Sequence, residues 1–429
     1  MNELAASYSS AAARPALPML NVRIAWRNLW RNPRRTWLTA SGIAFAIMLV
    51  VFAMAMQLGQ YELMMDNATS MLSGHLQVQS RDFVETERFE DTLPGATELV
   101  RLVESWPSVL SVAPRVEAFA LASAGERSFG AMVVGVDMEA ESRTVRFLDF
   151  IQSGHAPQGP GEAMLGSVLA RNLGVGLGDE VVILGTGKKG GMAAMLLEVV
   201  GLFTSHQLEL DRGVLWTPLA SVQEAFGLGD EVHTLAIRTN DLASSADTQR
   251  ALADHLAQGA PDSPALVRNW DEVMPELHQA IEIDKLGGDL FFYIVEILVL
   301  FSVVNTFIMT VFERTREFGM LLSIGTRPWR IVALVQWEAL FIWAVGAAIG
   351  LGIAALLVFW LAEVGLYMGE QLSEYTAQFY MPERLFPAFS IEAFTNAPLV
   401  MLVGTQLAAL VSSVRVRRMR PVEAWRAAE

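Results

Sequence analysis

Leu290 to Gly325 reads LFFYIVEILVLFSVVNTFIMTVFERTREFGMLLSIG, and the join inside it decides the fold. The apolar stretch up to Phe312 holds one charge, Glu296. It runs without a break into Glu313-Arg314-Thr315-Arg316-Glu317-Phe318-Gly319, and a second short apolar block follows at once. A bilayer core of roughly 30 Å needs about 20 apolar helical residues to cross it, and 290–312 meets that length. The pattern predicts a membrane helix that leaves the bilayer and turns straight into a small amphipathic element at the membrane surface. A segment of that kind suits a membrane protein moved by a partner in the cytoplasm.

Three further stretches can span. Residues 36–58 carry no charge, 331–362 contain the charge-free run Ala339–Ala362, and 393–414 carry none. The chain of 429 residues is 52% hydrophobic, too apolar for an ordinary soluble enzyme. The predicted fold is therefore a membrane α-helical protein with four transmembrane helices. Residues 59–289 are much more polar and form a large mixed α/β extracytoplasmic domain with its stalk, inserted between helices 1 and 2.

Orientation follows from the basic residues. Arg14, Arg23, Arg27, Arg31, Arg34 and Arg35 precede the first span; Arg314, Arg316, Arg327 and Arg330 lie between the second and third. Arg415, Arg417, Arg418, Arg420 and Arg426 follow the fourth. Residues 59–289 carry 15 basic and 34 acidic side chains, a net charge of −19, and the loop 363–392 has five Glu and one Arg. Both acidic segments are thus expected outside. Residues 1–35, the segment 313–330 and the tail 415–429 are expected in the cytoplasm, with both termini. Asn21–Arg35 mixes Trp26 and Trp30 with five Arg and suits an interfacial amphipathic helix. The first span is long enough to stay in the bilayer, so no cleavable signal peptide is expected.

The acidic outer domain argues against nucleic acid, since it cannot neutralise a run of phosphates. Zero Cys excludes disulfides and thiolate metal sites. His75, His155, His206, His233, His255 and His278 are scattered, with no HExxH, and no Ser stands in G-x-S-x-G. No catalytic or metal site is expected. Gly185-Thr186-Gly187-Lys188-Lys189-Gly190 matches G-x-G-x-x-G, but a strand-like run, Leu196–Phe203, follows where a dinucleotide site needs a helix; a hairpin is predicted. No Walker sequence is present, so ATP-driven work belongs to another polypeptide.

Three features inside or beside the membrane stand out. Glu296 is the costliest residue there. Gly346 and Gly350 form G-x-x-x-G, which lets helices approach closely, either within the subunit or at a dimer seam. Trp270–Leu286 has helical spacing and leads into the second span through Gly287-Gly288. It reads as a stalk continuous with the span, with the glycines as a possible hinge or a plain linker.

Glu313 to Gly325, with Arg327 and the Glu338 of Gln-Trp-Glu-Ala-Leu, resembles the FtsX-type permease signature. Ala25-Trp26-Arg27-Asn28-Leu29 resembles that family's amino-terminal helix. Gly161–Gly166 and Gly178-Asp179-Glu180-Val181 resemble the MacB-like core domain, and Arg420-Pro421-Val422-Glu423-Ala424 the closing motif. Ser73-Gly74-His75-Leu76-Gln77-Val78 and Asn269-Trp270 look more like the lipoprotein-releasing LolC/LolE branch. The resemblance implies an ABC transporter permease of the bacterial inner membrane that works with a cytoplasmic MacB/LolD-like ATPase dimer. It implies a second permease copy or a related permease, contact with membrane lipid, and a lipoprotein or periplasmic carrier as further partners. No cofactor is expected on this chain; ATP and Mg sit on the ATPase. ATPase coupling is expected at Glu313, Arg316, Glu317, Gly319, Leu321, Leu322, Ile324, Gly325 and Arg327, with the three apolar side chains as one face. The implied work is extraction or transport of lipoprotein or lipid. An FtsX-like signalling permease controlling a cell-wall hydrolase, or an efflux component of a tripartite system, remains open.

Overall fold

The computed structural model describes residues 17–86, 88–205, 207–259, 263–367, 369 and 384–414. Half of the loop 363–392, the tail 415–429 with its closing motif, and His206 lie outside the described residues. The chain divides into two compact units, one built from the segments up to Tyr61, Glu282–Tyr367 and Arg384 onward, the other mainly from Glu62–Ile281.

In the first unit, α1 (Leu17–Leu29) is followed by α2 (Pro33–Ala68), α3 (Pro275–Glu313), α4 (Thr315–Ser323), α5 (Pro328–Val364) and α6 (Ile391–Val414). Four of these helices, α2, α3, α5 and α6, are long and apolar enough to cross a membrane. The expected interfacial helix 21–35 is divided: α1 stops at Leu29 and α2 starts anew at Pro33, where proline's missing N–H costs nothing in a first turn. The spanning helices also outrun their apolar runs. Past Leu58, α2 continues through Gly59 and a run of polar residues to Ala68.

Small residues mark the seams of this unit. On α5 the buried set includes Gly346, Ala347, Gly350 and Ala354; on α6 it includes Ala397, Gly404, Ala408 and Ala409. Lipid tails are as apolar as leucine, so helices in a membrane associate through close packing rather than hydrophobic expulsion. Ile43, Ile47, Val303, Phe307, Val335 and Met401 fill the core between them.

Most of the stalk is one helix with the span, and only Trp270–Met274 stands apart from it. A single turn, Trp270–Val273, ends at Met274, whose φ of −121° and ψ of 66° are not helical, and α3 begins at Pro275. Proline disfavours the helical conformation in the residue before it, which sets the break there. Through Gly287-Gly288, by contrast, α3 runs unbroken.

The second unit is built on one ten-stranded sheet. Its strands are β1 (Leu76–Ser80), β3 (Val109–Ala124), β4 (Arg127–Val136), β5 (Ile151–Gly154), β6 (Glu162–Gly166), β7 (Glu180–Thr186), β8 (Met192–Phe203), β9 (Val214–Pro218), β11 (Thr234–Thr239) and β12 (Ala265–Asn269); β2 (Leu93–Pro94) and β10 (Glu231–Val232) pair separately. The order is β12-β1-β11-β3-β4-β9-β6-β8-β5, with β7 against β3 and β8. The β4–β9 and β6–β8 contacts are parallel and the remainder antiparallel. Helices Ala96–Glu104, Ser167–Leu173, Leu219–Phe226 and Ser245–Gly259 contribute Leu99, Leu169, Val222 and Leu252 to its main core.

Two polar features of this unit are structural. Arg115 and Glu141 form a buried pair at 2.6 Å, and Arg115 also donates to the Leu72 carbonyl. The glycine-rich run is the β7–β8 hairpin, with Thr186 opposite Met192. Its Lys188 is bonded to Glu231 and Thr92, so the tip is pinned within the domain rather than presented to a phosphate.

Candidate functional site

The charged join quoted at the outset folds into a compact cluster. Arg314, between α3 and α4, donates through one terminal nitrogen to both carboxylate oxygens of Glu338 at 2.8 Å. Its Nε donates to Glu317 at 3.1 Å, and its guanidinium lies 5.0 Å from the ring centre of Phe318. Asn28 of α1 donates to the same Glu338 at 2.8 Å. The side chains of Arg314 and Glu338 are 15% and 7% exposed, so this pair is largely out of water.

Two more arginines close the cluster from the start of the chain. Arg35 donates to Glu313 at 2.5 Å, and Arg31 pairs with Glu317. Burial pushes the Glu317 carboxyl up, but the bonds from Arg31 and Arg314 outweigh it and hold it below the usual carboxylate range. Exposed ion pairs such as Arg31–Glu317 contribute little, typically below ~1 kcal/mol; the partly desolvated Arg314–Glu338 pair dominates. Together they tie α1 and α2 to the junction of α3, α4 and α5 around a cavity of about 200 Å³. Trp26 packs on Phe341 with ring centres 5.2 Å apart, and Trp26, Trp30 and Trp37 stay roughly half exposed. Tryptophan at such a position suits a membrane interface.

The expected apolar face of Leu321, Leu322 and Ile324 is divided by the structure. Leu321 and Leu322 are half-buried against the chain's own membrane core. Ile324 is 74% exposed, and Met320, not singled out from sequence, is 57% exposed. Residues four apart share a helix face, whereas adjacent ones point about 100° apart; the outward stripe is Met320/Ile324. Phe318 and Gly319 are buried, Arg316 and Arg327 exposed, and Gly325 ends the element with φ +89°, a conformation glycine tolerates best. Arg314, Glu338 and Asn28 carry the geometry. The first two stood in the signature, and the signal for Asn28 was an uncharged polar side chain within a Trp- and Arg-rich helix.

The remaining residues fall elsewhere. A Cβ on Gly346 would stand 2.9 Å from the Ala40 carbonyl oxygen, and one on Gly350 2.6 Å from that of Ala44. The chain's own α2 therefore fills that seam. Gly287 has open space around it, whereas Gly288 faces the amide of Gln57. Among the described residues, no group of three His, Asp or Glu is arranged to hold a metal.

Residues 36–255 match the family described as MacB-like periplasmic core domain, just over half of the chain, and residues 290–421 match the FtsX-like permease C-terminal family. The lipoprotein-releasing system transmembrane protein LolC of Xylella fastidiosa is 26% identical over 341 residues, 76% of this chain and 80% of that protein. The macrolide export ATP-binding/permease protein MacB of Acinetobacter baylyi is 22% identical over 346 residues, 74% of this chain and 48% of that protein. Among solved structures, the periplasmic region of MacB from Actinobacillus actinomycetemcomitans covers 50% of this chain and 97% of its own, at 13% identity and a TM-score of 0.38. The chain belongs to the FtsX/MacB-like family of ABC transporter permeases.

Proposed function

We propose that this chain couples ATP hydrolysis on a separate cytoplasmic ATPase to movement of its outer domain, and that the work done is extraction of lipoprotein or lipid from the inner membrane. One observation carries the coupling. A nine-residue helix between two spanning helices is clamped by Arg314 while presenting Met320 and Ile324 outward. An apolar pair on a short, rigidly held helix is what a groove on a partner receives. No Walker sequence stands in these 429 residues, and the ATPase, with its ATP and Mg, is the partner this reading assigns.

The cargo reading rests on the similarity to LolC. A concavity of about 930 Å³ in the outer domain, walled by Phe83, Phe119, Met132, Trp216 and Phe226, favours handling a bulky apolar molecule over pure signalling. Orientation rests on the arginine distribution, so a reporter fused at residue 230 is expected to be active outside the cytoplasm; activity inside overturns it. For the coupling, Ile324→Glu is the variant of choice, because Leu322→Glu would strike the chain's own core. A charge placed in a closed apolar contact is strongly unfavourable. The permease should insert normally and the ATPase should no longer copurify. Undiminished copurification and stimulation of hydrolysis by Ile324→Glu and Met320→Glu would reject the contact.

A further inference from the structure

A second cavity, of about 190 Å³, lies within the membrane unit between α2, α3 and α6. One buried water needs only ~10–15 Å³, so the space takes a group much larger than a single water. Its lining carries three carboxylates, Asp289, Glu296 and Glu392, against one cation, Lys285.

Glu296 is the decisive group. It stands on the inward stripe of α3, in line with the buried Phe292, Val303 and Phe307, and is only 4% exposed. Its carboxylate has no hydrogen-bond or ion-pair partner among the described residues. Groups that could have served are engaged elsewhere: the Tyr61 hydroxyl donates to Asp284 at 2.6 Å, and the Gln57 amide nitrogen lies 2.7 Å from the Tyr61 oxygen. Lys285 stands eleven residues earlier on the same helix, roughly 16 Å along its axis at 1.5 Å per residue, too far to neutralise it. A buried carboxylate without a counter-charge is strongly disfavoured, and acids within membrane segments face partners or polar cavities.

We infer that this cavity binds the ammonium group of an amine-bearing amphiphile, with Glu296 as its counter-ion. The excess of carboxylates draws the cation. Phe292 and Tyr293, which also line the space, add ring faces of the kind that attract alkylammonium groups. The apolar surroundings suit the chain attached to the amine. The inference does not rest on the lipoprotein reading or on ATPase coupling.

The test uses the purified full-length protein in a neutral detergent, without ATPase, and two probes of equal chain length, dodecylammonium and dodecanol. Ligands that bind the folded state stabilise it by RT ln(1 + [L]/Kd), so the melting temperature climbs with the logarithm of ligand concentration above Kd. The wild type should show a stabilisation by dodecylammonium that grows with the logarithm of its concentration and that dodecanol lacks. Glu296→Gln, similar in shape and uncharged, should weaken that ammonium-specific effect at least tenfold in apparent Kd. Displacement of the probe by phosphatidylethanolamine in nanodiscs would place the amine on a lipid headgroup; displacement by dodecylated peptide amines alone would place it on an acylated cargo. Equal responses of the wild type to the two probes would overturn the inference without any variant. So would an unchanged dodecylammonium affinity in Glu296→Gln.

Discussion

Truncating Glu338 should unlatch the junction of α3, α4 and α5, and the structure allows its cost to be worked out. The carboxylate accepts two bonds from Arg314 and one from Asn28, each at 2.8 Å, and is 7% exposed. Removing one partner of a buried pair typically costs ~3–5 kcal/mol, because the other charge is left uncompensated. Here Arg314 keeps a bond to Glu317 at 3.1 Å and is itself 15% exposed, which moves the expectation to the low end. Glu338→Ala should therefore destabilise the membrane unit by about 3 kcal/mol, more than a hundredfold in the folding equilibrium. Arg31→Ala should cost below ~1 kcal/mol, since its pair with Glu317 is exposed.

The assay is reversible unfolding in mixed micelles followed by tryptophan fluorescence. The double variant Arg314→Met/Glu338→Leu removes both charges and should recover most of the loss, because two apolar side chains avoid the desolvation that the pair carries. A Glu338→Ala variant within ~1 kcal/mol of wild type would refute the reasoning, since the pair would then behave as an exposed one. A double variant as unstable as the single would show that lost packing matters more than the orphaned charge.

Gly350→Ala should lower the melting temperature in detergent by an amount equivalent to ~1–3 kcal/mol, since its Cβ would meet backbone atoms of Ala44 at 2.6 and 3.1 Å. Gly352→Ala, with nothing within 4 Å, should not. In the outer domain, His233 is buried, accepts the Glu117 N–H at Nδ1 and places Nε2 2.8 Å from the Phe89 carbonyl, an arrangement that suits the neutral ring. Burial holds its pKa below the ordinary value of about 6.5. Its contribution is thus full above that pH and is lost as the pH falls through the folded value; thermal melts from pH 7.5 downward should show the decline, and His233→Gln should flatten it. Gly287→Ala, with no neighbour to strike, should stabilise α3 by ~0.5–1 kcal/mol. If the position bends during work, cargo release should fall while hydrolysis persists, and retention of both would remove the hinge.

The parts legible in sequence were those set by local pattern. The β7–β8 hairpin announced itself by its glycines and by the strand-like Leu196–Phe203 that follows them. Strand β3 did not, although it is the longest in the sheet. Its run VLSVAPRVEAFALASA is alanine-rich and holds Pro114 and Arg115, which weaken strand propensity. The buried Glu141, from a separate helix, and the Leu72 carbonyl account for Arg115 there. The outward face of α4 was hidden in a similar way. Leu321 and Leu322 were the more apolar candidates, but adjacent side chains on a helix cannot share a face, and the chain's own core holds them. The spacing of four between Met320 and Ile324 was the readable signal for the outward stripe.

Two acids of the membrane unit show where sequence reading must stop. Glu296 and Glu338 each interrupt an apolar helix, and each reads as costly on its own. In the structure Glu338 is satisfied by a guanidinium twenty-four residues earlier in the chain, at the end of another helix, and by an amide from α1. Those bonds depend on how three helices meet, which no periodicity within one helix encodes. Glu296 shares the inward stripe of its helix and finds no such group. A buried acid that is paired can be explained by architecture, because its charge is balanced within the fold. One that is unpaired and faces a cavity is neutralised by a proton or balanced by a cation from outside the chain. The same residue type at two similar positions therefore points in one case to a latch and in the other to a ligand.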